Sequence, residues 1–471
     1  MSLFDPLQLA SDACGIWENE CKPTLINGFA FDTRQLKEGN LFLALKGDNA
    51  DGHDYLYAAK SKGACGAIVE KVDSSLNWPQ LKVNSVAQAF QQIARIHREH
   101  FLGLVIGVTG SCGKTSTKDL LNLLLGRGTY STFLNHNNLL GVPMTIMGLD
   151  SDLHRYAVIE AGMNIRGEME CLASIIKPDI AIITNIFPVH LEGVGCEEDI
   201  AREKAFLAQA TKEEGIVLFP SSCLSYHSFR CLGLKAKVLA RYEELVDNIP
   251  ADQVIRYEVN ENLEGTLSLG IQLSQACEVQ TFVLPLLSYG MMTNVALAVS
   301  VTLLLGIEPQ EIQNRLSTWV PSKHRGQVYE YGKQIFYADC YNANPASMLD
   351  ALEIFQKRFS FSPKYLYILG CMGELGDKAE AYHYKVGKSL KLRSEDKVLL
   401  LGIHAQSYAL GLKDAGNVFS QIICLQSREK VFDYLKEFEG TVFLKGSKPY
   451  ALWELLPKEA ELQEVRKIVV C

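Results

Sequence analysis

Residues 104–121, LVIGVTGSCGKTSTKDLL, restrict the fold more than any other part of this 471-residue chain. A short apolar run is typical of a buried strand in a parallel sheet, and a glycine-rich loop and a helix-like pattern follow it here. In that order, the N–H groups of the loop and the N-terminus of the helix converge on one point and favour an anion. The segment therefore predicts a phosphate-binding loop in an α/β sheet.

The residue types in this loop predict nucleotide binding. Lys114 supplies a positive charge for the β- and γ-phosphates, and Thr115 supplies a hydroxyl for Mg²⁺. The spacing departs from the usual pattern, because five residues rather than four separate Gly107 from Gly113. A chance GKT triplet after a strand is the alternative interpretation. We predict nucleotide contacts from the residues of the loop and the first helical turn: Gly110, Ser111, Cys112, Gly113, Lys114, Thr115 and Ser116.

Strand-like and helix-like segments alternate along the rest of the chain, which predicts an α/β fold. Apolar runs such as DIAIITNI, YLYILG and TVFLKG are short and end in glycine or polar residues. The length suggests about three domains. We predict a small N-terminal α/β domain (1–100), a central P-loop-type domain with a parallel sheet (101–312), and a Rossmann-like C-terminal domain (313–471). A linker near residues 308–321 is expected to permit domain motion.

Composition narrows the class of protein. The net charge of −8 argues against a nucleic-acid binder, which needs a basic face. No window approaches the roughly 18 apolar residues of a membrane span, and the first twenty residues lack the features of a signal peptide. The thirteen cysteines form no CxxC pairs, which is typical of reduced thiols. We expect a cytoplasmic protein without a disulfide framework.

Two polar residues follow strand-like runs and are candidates for metal binding. Glu160 ends the run YAVIE, and His190 lies just past IAIITNI. Because parallel strands end at the same edge of a sheet, both side chains are expected near the phosphate loop, where they could bind Mg²⁺ or Mn²⁺. A helix cap or surface ion pair for Glu160, and a surface position for His190, are the alternatives.

Several motifs together resemble the Mur ligase and folylpolyglutamate synthetase superfamily over nearly the whole chain. They are TGSCGKTS, FLNHNNLLGVPMT, YNANP and MGELG. The resemblance implies an ATP-dependent, ADP-forming amide ligase that acts through an acyl phosphate. It further implies that D-alanyl-D-alanine is added to the terminal carboxylate of UDP-N-acetylmuramoyl-tripeptide, and that the enzyme is a monomer. Another amino-acid ligase of the superfamily, or an ATP-hydrolysing switch or binding protein, are the alternatives.

The same resemblance implies roles for particular residues. Lys114, Glu160, His190 and Lys204 would be catalytic, and Lys204 would react with CO₂ to give a carbamate that helps to bind a second Mg²⁺. The metal ligands would be Thr115, Glu160, His190 and Lys204. A carbamate requires a neutral amine, so burial must lower the pKa of Lys204. A solvated lysine is the alternative.

The remaining implied contacts are to substrates. Thr33, Arg34 and Lys46 would lie near the uridine diphosphate, although a solvated surface role is the alternative for the arginine and the lysine. Asn294 would bind adenine or cap a helix, and Arg325 and Asp339 would contact the nucleotide. The other predicted substrate-binding residues are Asn137, Asn138, Tyr341, Asn342, Asn344 and Lys445. Turn formation is the alternative for the asparagines near Pro345, and a helix cap for Lys445.

Three positions depart from the family pattern. They are Cys112 in the loop, Gly290 where a histidine is usual, and Cys371 before MGELG. A thiol beside a helix N-terminus also suggests a hypothesis of oxidation sensitivity for Cys112, because that position lowers a thiol pKa.

Overall fold

A computed structural model describes residues 4–18, 21–47, 49–262 and 266–462, apart from the side chain at position 234. The described residues form three sheets that follow one another along the chain, and helices pack against all of them. The predicted α/β class with three domains is confirmed. We call the units that surround the sheets the N-terminal, central and C-terminal domains.

The N-terminal domain has a five-stranded sheet in the order β1-β5-β4-β3-β2, and only β1 is antiparallel to its neighbour. Its last helix buries Val86, Phe90 and Ile93 at helical spacing. The elements are β1 (Ile16–Trp17), β2 (Gly28–Ala30), β3 (Asn40–Leu43), β4 (Gly66–Val69) and β5 (Gln80–Lys82), with α1 (Pro6–Asp12), α2 (Leu56–Ser61) and α3 (Val86–His100).

The central domain has a nine-stranded sheet in the order β14-β13-β12-β11-β10-β9-β6-β8-β7. Strands β6 to β12 are parallel, and β13 and β14 are antiparallel additions at one edge. The strands are β6 (Leu104–Thr109), β7 (Thr129–Ser131), β8 (Tyr156–Glu160), β9 (Ile180–Ile183), β10 (Ile216–Pro220), β11 (Ala236–Arg241), β12 (Val254–Glu261), β13 (Thr266–Gln272) and β14 (Gln280–Pro285). The helices are α4 (Lys114–Leu125), α5 (Gly141–Ile146), α6 (Glu168–Ile176), α7 (Leu191–Val194), α8 (Glu197–Gln209), α9 (His227–Arg230), α10 (Tyr289–Leu304) and α11 (Pro309–Leu316).

The C-terminal domain has a seven-stranded sheet in the order β19-β18-β17-β20-β16-β15-β21. Strand β15 is antiparallel to both of its neighbours, β16 and β21. The strands are β15 (Gln327–Tyr331), β16 (Gln334–Ala338), β17 (Tyr365–Gly370), β18 (Lys397–Leu401), β19 (Ile422–Leu425), β20 (Gly440–Lys445) and β21 (Glu461–Leu462). The helices are α12 (Pro345–Arg358), α13 (Ala379–Ser389), α14 (Ala405–Asp414) and α15 (Val431–Leu435).

Buried contacts fix the positions of neighbouring domains. Arg98 in α3 is only 2% exposed; it donates to the carbonyl of Ile176 (2.8 Å) and to the carboxylate of Asp179 (3.0 Å), and so joins the N-terminal and central domains. The expected linker at 308–321 contains a helix instead. Helix α11 packs on α4 and β14, and its Arg315 contacts the carbonyl of Leu124. The predicted boundary at 312 lies within this helix, and the division into 1–100, 101–312 and 313–471 stays a prediction.

Searching the described ranges for a membrane span finds none, since no helix there combines enough length with enough apolar character.

Candidate functional site

The phosphate loop lies between the end of β6 and the start of α4. Gly113 has φ +79°, and a Cβ atom there would stand 2.5 Å from the Asn294 side chain, so only glycine fits. The Lys114 ammonium donates to the carbonyl of Gly110 (2.8 Å) and folds back over the loop. Burial lowers the pKa of Lys114, while the carboxylate of Glu160 opposes that shift. The loop therefore has the glycine geometry and the cation that phosphate binding requires.

A segment that follows β9 anchors the loop from below. Asn185 accepts from the Cys112 N–H (2.8 Å), and its carbonyl accepts from the Ser111 N–H (3.0 Å). The Ser111 hydroxyl donates to the carbonyl of Phe187 (2.9 Å), and Thr184 contacts the carbonyl of Cys112. No individual role was predicted for Thr184, Asn185 or Phe187, although the TNIF run after a strand end is a signal for them.

Glu160 presents a free carboxylate oxygen at the site. The residue is 1% exposed, and Oε1 accepts from the Thr115 hydroxyl (3.2 Å) and the Asn137 amide (2.7 Å). Its other oxygen, Oε2, is buried and has no hydrogen-bond partner. Because an unpaired buried carboxylate oxygen is costly, the donor set fits a cation. Within the described part of the chain no three His, Cys, Asp or Glu residues form a metal-binding cluster, so a cation would need Thr115, phosphate oxygens or water as further ligands.

His190 lies just before α7 and meets a residue of the C-terminal domain. Its Nδ1 is in ion-pair contact with the carboxylate of Glu374 and has no hydrogen bond of good geometry among the described residues; this contact holds the pKa of the Glu374 carboxyl below its usual range. The Glu374 carbonyl also accepts from the Leu191 N–H (3.0 Å). No role was predicted for Glu374, although the MGELG run contains it.

Lys204 is buried beside the site rather than in its lining. The residue is 1% exposed, and burial together with the charge of Lys114 lowers its pKa well below the usual value for lysine. This shift is in the direction that the predicted neutral amine requires. Its modification stays a prediction.

Two hydrogen bonds bring the C-terminal domain onto the phosphate loop. Arg325 donates to the Thr115 hydroxyl (3.1 Å) and stacks over Tyr341, with its Cζ 4.3 Å from the ring centroid. The Asn344 amide donates to the Cys112 sulfur (2.8 Å). Burial raises the pKa of the Cys112 thiol, so the hypothesis of an activated, oxidation-sensitive cysteine is wrong in its premise. Desolvation outweighs the hydrogen bond from Asn344 and the charge of Lys114, both of which favour the thiolate.

A cleft of about 830 Å³ collects most of the predicted residues between the central and C-terminal domains. From the central domain they are Ser111, Cys112, Gly113, Lys114, Thr115, Ser116, Asn137, Asn138, Glu160, His190 and Asn294. From the C-terminal domain they are Arg325, Asp339, Tyr341, Asn342, Asn344 and Lys445.

Some of these lining residues are already engaged within the protein. Lys445 is 1% exposed and its ammonium lies 2.6 Å from the carboxylate of Asp339, so these two predicted site residues bind each other. Asn138 accepts from the Gly141 N–H (2.8 Å) at the start of α5. Their predicted contacts with substrates remain predictions.

Five predicted residues lie outside the lining of the cleft. Two of them are close to it: the Gly110 carbonyl accepts from Lys114, and Lys204 is buried beside the site. The other three are in the N-terminal domain, where the carbonyl of Thr33 accepts from Lys62 (2.9 Å) and the 85% exposed Arg34 side chain pairs with Asp32 (2.8 Å). The backbone of Lys46 pairs with that of Asp51 in an isolated antiparallel β-bridge. The three residues predicted to contact the uridine diphosphate therefore lie outside the cleft that contains the phosphate loop.

The fold and the site define a three-domain α/β protein with a nucleotide-binding loop that its C-terminal domain covers. Residues 25–106 match the domain described as "Mur ligase family, catalytic domain". Residues 108–301 match the Mur ligase middle domain, and residues 324–448 match the Mur ligase glutamate ligase domain.

Two of the similar proteins share one name, and a similar solved structure is that of MurF. The UDP-N-acetylmuramoyl-tripeptide–D-alanyl-D-alanine ligase of Synechocystis sp. is 31% identical over 85% of both chains. The ligase of that name from Escherichia coli is 30% identical over 90% of this chain and 92% of its own. A crystal structure of MurF from Acinetobacter baumannii superposes with a TM-score of 0.82 at 26% identity, covering 97% of this chain and 98% of the other. The chain belongs to the Mur ligase family and is a ligase.

Proposed function

We propose that this protein joins D-alanyl-D-alanine to the terminal carboxylate of UDP-N-acetylmuramoyl-tripeptide at the expense of ATP. The observation that carries the proposal is the position of the Thr115 hydroxyl, which contacts Glu160 of the central domain and Arg325 of the C-terminal domain. The Thr115 hydroxyl therefore lies between a carboxylate that can bind a metal cation, Glu160, and a guanidinium that can bind the γ-phosphate, Arg325. The names of the similar proteins supply the two substrates.

The chemistry follows from the poor reactivity of a carboxylate toward an amine. An oxygen of the tripeptide carboxylate attacks the γ-phosphorus, the bond to the β-γ bridging oxygen breaks, and ADP leaves. Lys114 and Arg325 offset the repulsion between the two anions. The amine of the dipeptide then attacks the acyl carbonyl, loses a proton, and expels inorganic phosphate. Holding the reactants in register supplies on the order of 7–11 kcal/mol of barrier reduction.

Mg²⁺ fits the donor set and is part of the proposal. Glu160, with its unpartnered Oε2, and Thr115 would hold one ion, and His190 is a further candidate ligand. When bound, the ion would neutralise phosphate charge and orient the γ-phosphate. Water must be excluded from the acyl phosphate meanwhile, and the cover formed by the C-terminal domain serves that purpose.

The carbamate on Lys204 is the finer part of the proposal. After the ε-ammonium has lost a proton, the neutral amine forms an N–C bond to CO₂ and releases a second proton, so that a cationic side chain becomes an anionic carbamate beside Lys114. The side chain makes no ion pair among the residues described, so the amine is free to react. In Lys204→Ala we expect a loss of turnover of roughly 100-fold or more that short-chain carboxylic acids partly restore. Full activity of this variant without added acid would contradict the carbamate.

We further propose binding of the uridine diphosphate near Thr33, Arg34 and Lys46, and action as a cytoplasmic monomer. The product would be the UDP-muramoyl-pentapeptide precursor of peptidoglycan, which places the enzyme in cell-wall synthesis, cell shape and cell division. An ATP-hydrolysing switch is not favoured, because a switch has no use for two substrate domains around one loop.

The decisive experiment is a coupled ADP-release assay with UDP-N-acetylmuramoyl-tripeptide, Mg²⁺ and ATP, with mass spectrometry of the product. We expect ADP release and a pentapeptide product only when D-alanyl-D-alanine is also present. Glutamate in place of the dipeptide tests another ligase of the superfamily. Lys114→Ala should abolish turnover, whereas Lys71→Ala, a matched change at an exposed position, should not. ADP release that needs neither acceptor would favour the switch.

A further inference from the structure

The CMGELG segment, residues 371–376, follows β17 and crosses to the central domain, and the proposed function assigns it no part. At the crossing, two non-glycine residues adopt left-handed backbone conformations, Glu374 with φ +62° and His190 with φ +53°. Such conformations are unfavourable for residues with a Cβ atom and persist only where the surroundings fix them. Here the two strained residues meet each other.

Side chain and main chain of this segment both bind the His190 region. The Glu374 carboxylate contacts Nδ1 of His190, and the Glu374 carbonyl accepts from the Leu191 N–H (3.0 Å). Two residues further on, the Gly376 N–H donates to the carboxylate of Glu192 (3.3 Å). The contact is therefore a short strip between domains rather than one chance ion pair.

Stability alone does not account for this strip. The Glu374 side chain is 54% exposed, and ion pairs at that exposure contribute little to folding because water screens them. Both residues keep unfavourable backbone conformations although their ion pair adds little to folding stability. We infer that the contact serves to orient a side chain. A carboxylate on one ring nitrogen fixes the tautomer and orientation of an imidazole and leaves the lone pair of the other nitrogen free.

We propose that Glu374 is a positioning residue, supplied by the C-terminal domain, that fixes the His190 imidazole with Nδ1 toward its carboxylate and Nε2 free for the cation of the active site. The inference rests on the proposed function for what Nε2 binds. It means that the metal-binding side of the site is complete only when the C-terminal domain lies against α7. Closure of the C-terminal domain then also completes the metal-binding part of the active site.

The kinetic test compares Glu374→Ala, Glu374→Gln and Asp377→Asn. Asp377 is an exposed acid three residues away, so its variant is a matched control for loss of one charge. In Glu374→Ala we expect kcat/KM with respect to Mg²⁺ to fall about 10- to 100-fold, with the KM for D-alanyl-D-alanine within about twofold of wild type. Glu374→Gln should retain more activity than the alanine variant, because its amide oxygen can still accept from Nδ1–H.

A second measurement needs no metal and no turnover. Nitrogen NMR of the imidazoles in ¹⁵N-histidine-labelled full-length protein reports the tautomer of His190, and the His190→Asn variant assigns its signals. We expect a single Nδ1-protonated tautomer in wild type and in Asp377→Asn, and a tautomer mixture in Glu374→Ala.

The two measurements separate the possible failures. If wild type makes no pentapeptide, the proposed function fails, and the imidazole spectrum still decides whether Glu374 fixes His190. If wild type is active and Glu374→Ala matches it in both measurements, the inference is overturned. A reduced melting temperature in Glu374→Ala together with normal kinetics per folded molecule would also overturn it. That result would show that Glu374 contributes to stability and not to the orientation of His190.

Discussion

Acidification should weaken the C-terminal domain through His383, which lies beneath the segment that holds Glu374. The imidazole is fully buried; its Nε2 accepts from the Met372 N–H (2.9 Å) and its Nδ1 faces the carbonyl of Ala379 (2.6 Å). Both nitrogens are therefore used by the neutral ring. A protonated ring would have no lone pair to accept from Met372, two residues before Glu374.

The magnitude follows from the pKa. Burial, reinforced by the nearby His404, lowers the pKa of His383 from 6.5 to about 4. The folded pKa is below the unfolded one, so the unfolded state takes up the proton first and stability falls as the pH drops from about 6.5 toward 4. For these two pKa values the loss between pH 7 and pH 5 is about 2 kcal/mol, and the full loss below pH 4 is about 3 kcal/mol.

The assay compares wild type with His383→Gln, whose amide offers one acceptor and one donor but does not titrate. Hydrogen exchange of the amides in β17 gives the free energy of opening of the C-terminal domain, even where the domains unfold separately. Between pH 7 and pH 5 we expect wild type to lose about 2 kcal/mol more than the variant. His100→Gln, at an exposed histidine in another domain, should behave as wild type. Equal pH dependence in wild type and His383→Gln would refute the reasoning.

Three further changes test the site and its frame. Gly113→Ala should raise the KM for ATP at least about tenfold, measured by ADP release, because its Cβ would stand 2.5 Å from Asn294; an unchanged KM would contradict the loop geometry. Glu160→Gln should lower kcat roughly 100-fold while the fold, checked by circular dichroism, is retained; activity near wild type would remove Glu160 from the site. Arg98→Ala should destabilise the chain by about 2–4 kcal/mol in urea unfolding, because it leaves the carbonyls of Ile176 and Lys177 without a donor, whereas Asp179 keeps its ion pair with Lys212; a loss below about 1 kcal/mol would show that the domain contact is dispensable.

Local patterns predicted the phosphate loop, because strand, glycine loop and helix are adjacent in the sequence. Contacts across domains could not be predicted that way. Arg325 and Thr115 are 210 positions apart, and only the packed arrangement of the domains brings them together. Helix α11 was missed although Pro309 at its first position and the spacing of Ile312 and Leu316 are helix signals. The pKa of Cys112 was misjudged because burial by another domain is not visible in the sequence.

Three of the contacts between the central and C-terminal domains fall on residues proposed for chemistry. Arg325 reaches Thr115, Asn344 reaches Cys112, and Glu374 reaches His190. If these contacts served only to join two folded units, apolar surface elsewhere would do so with less desolvation cost. Because they form at the phosphate loop itself, whatever stabilises the loop also stabilises closure, and the reverse holds by linkage. A nucleotide that binds the closed arrangement more tightly then assembles the site, excludes water, and commits the carboxylate to reaction in one step.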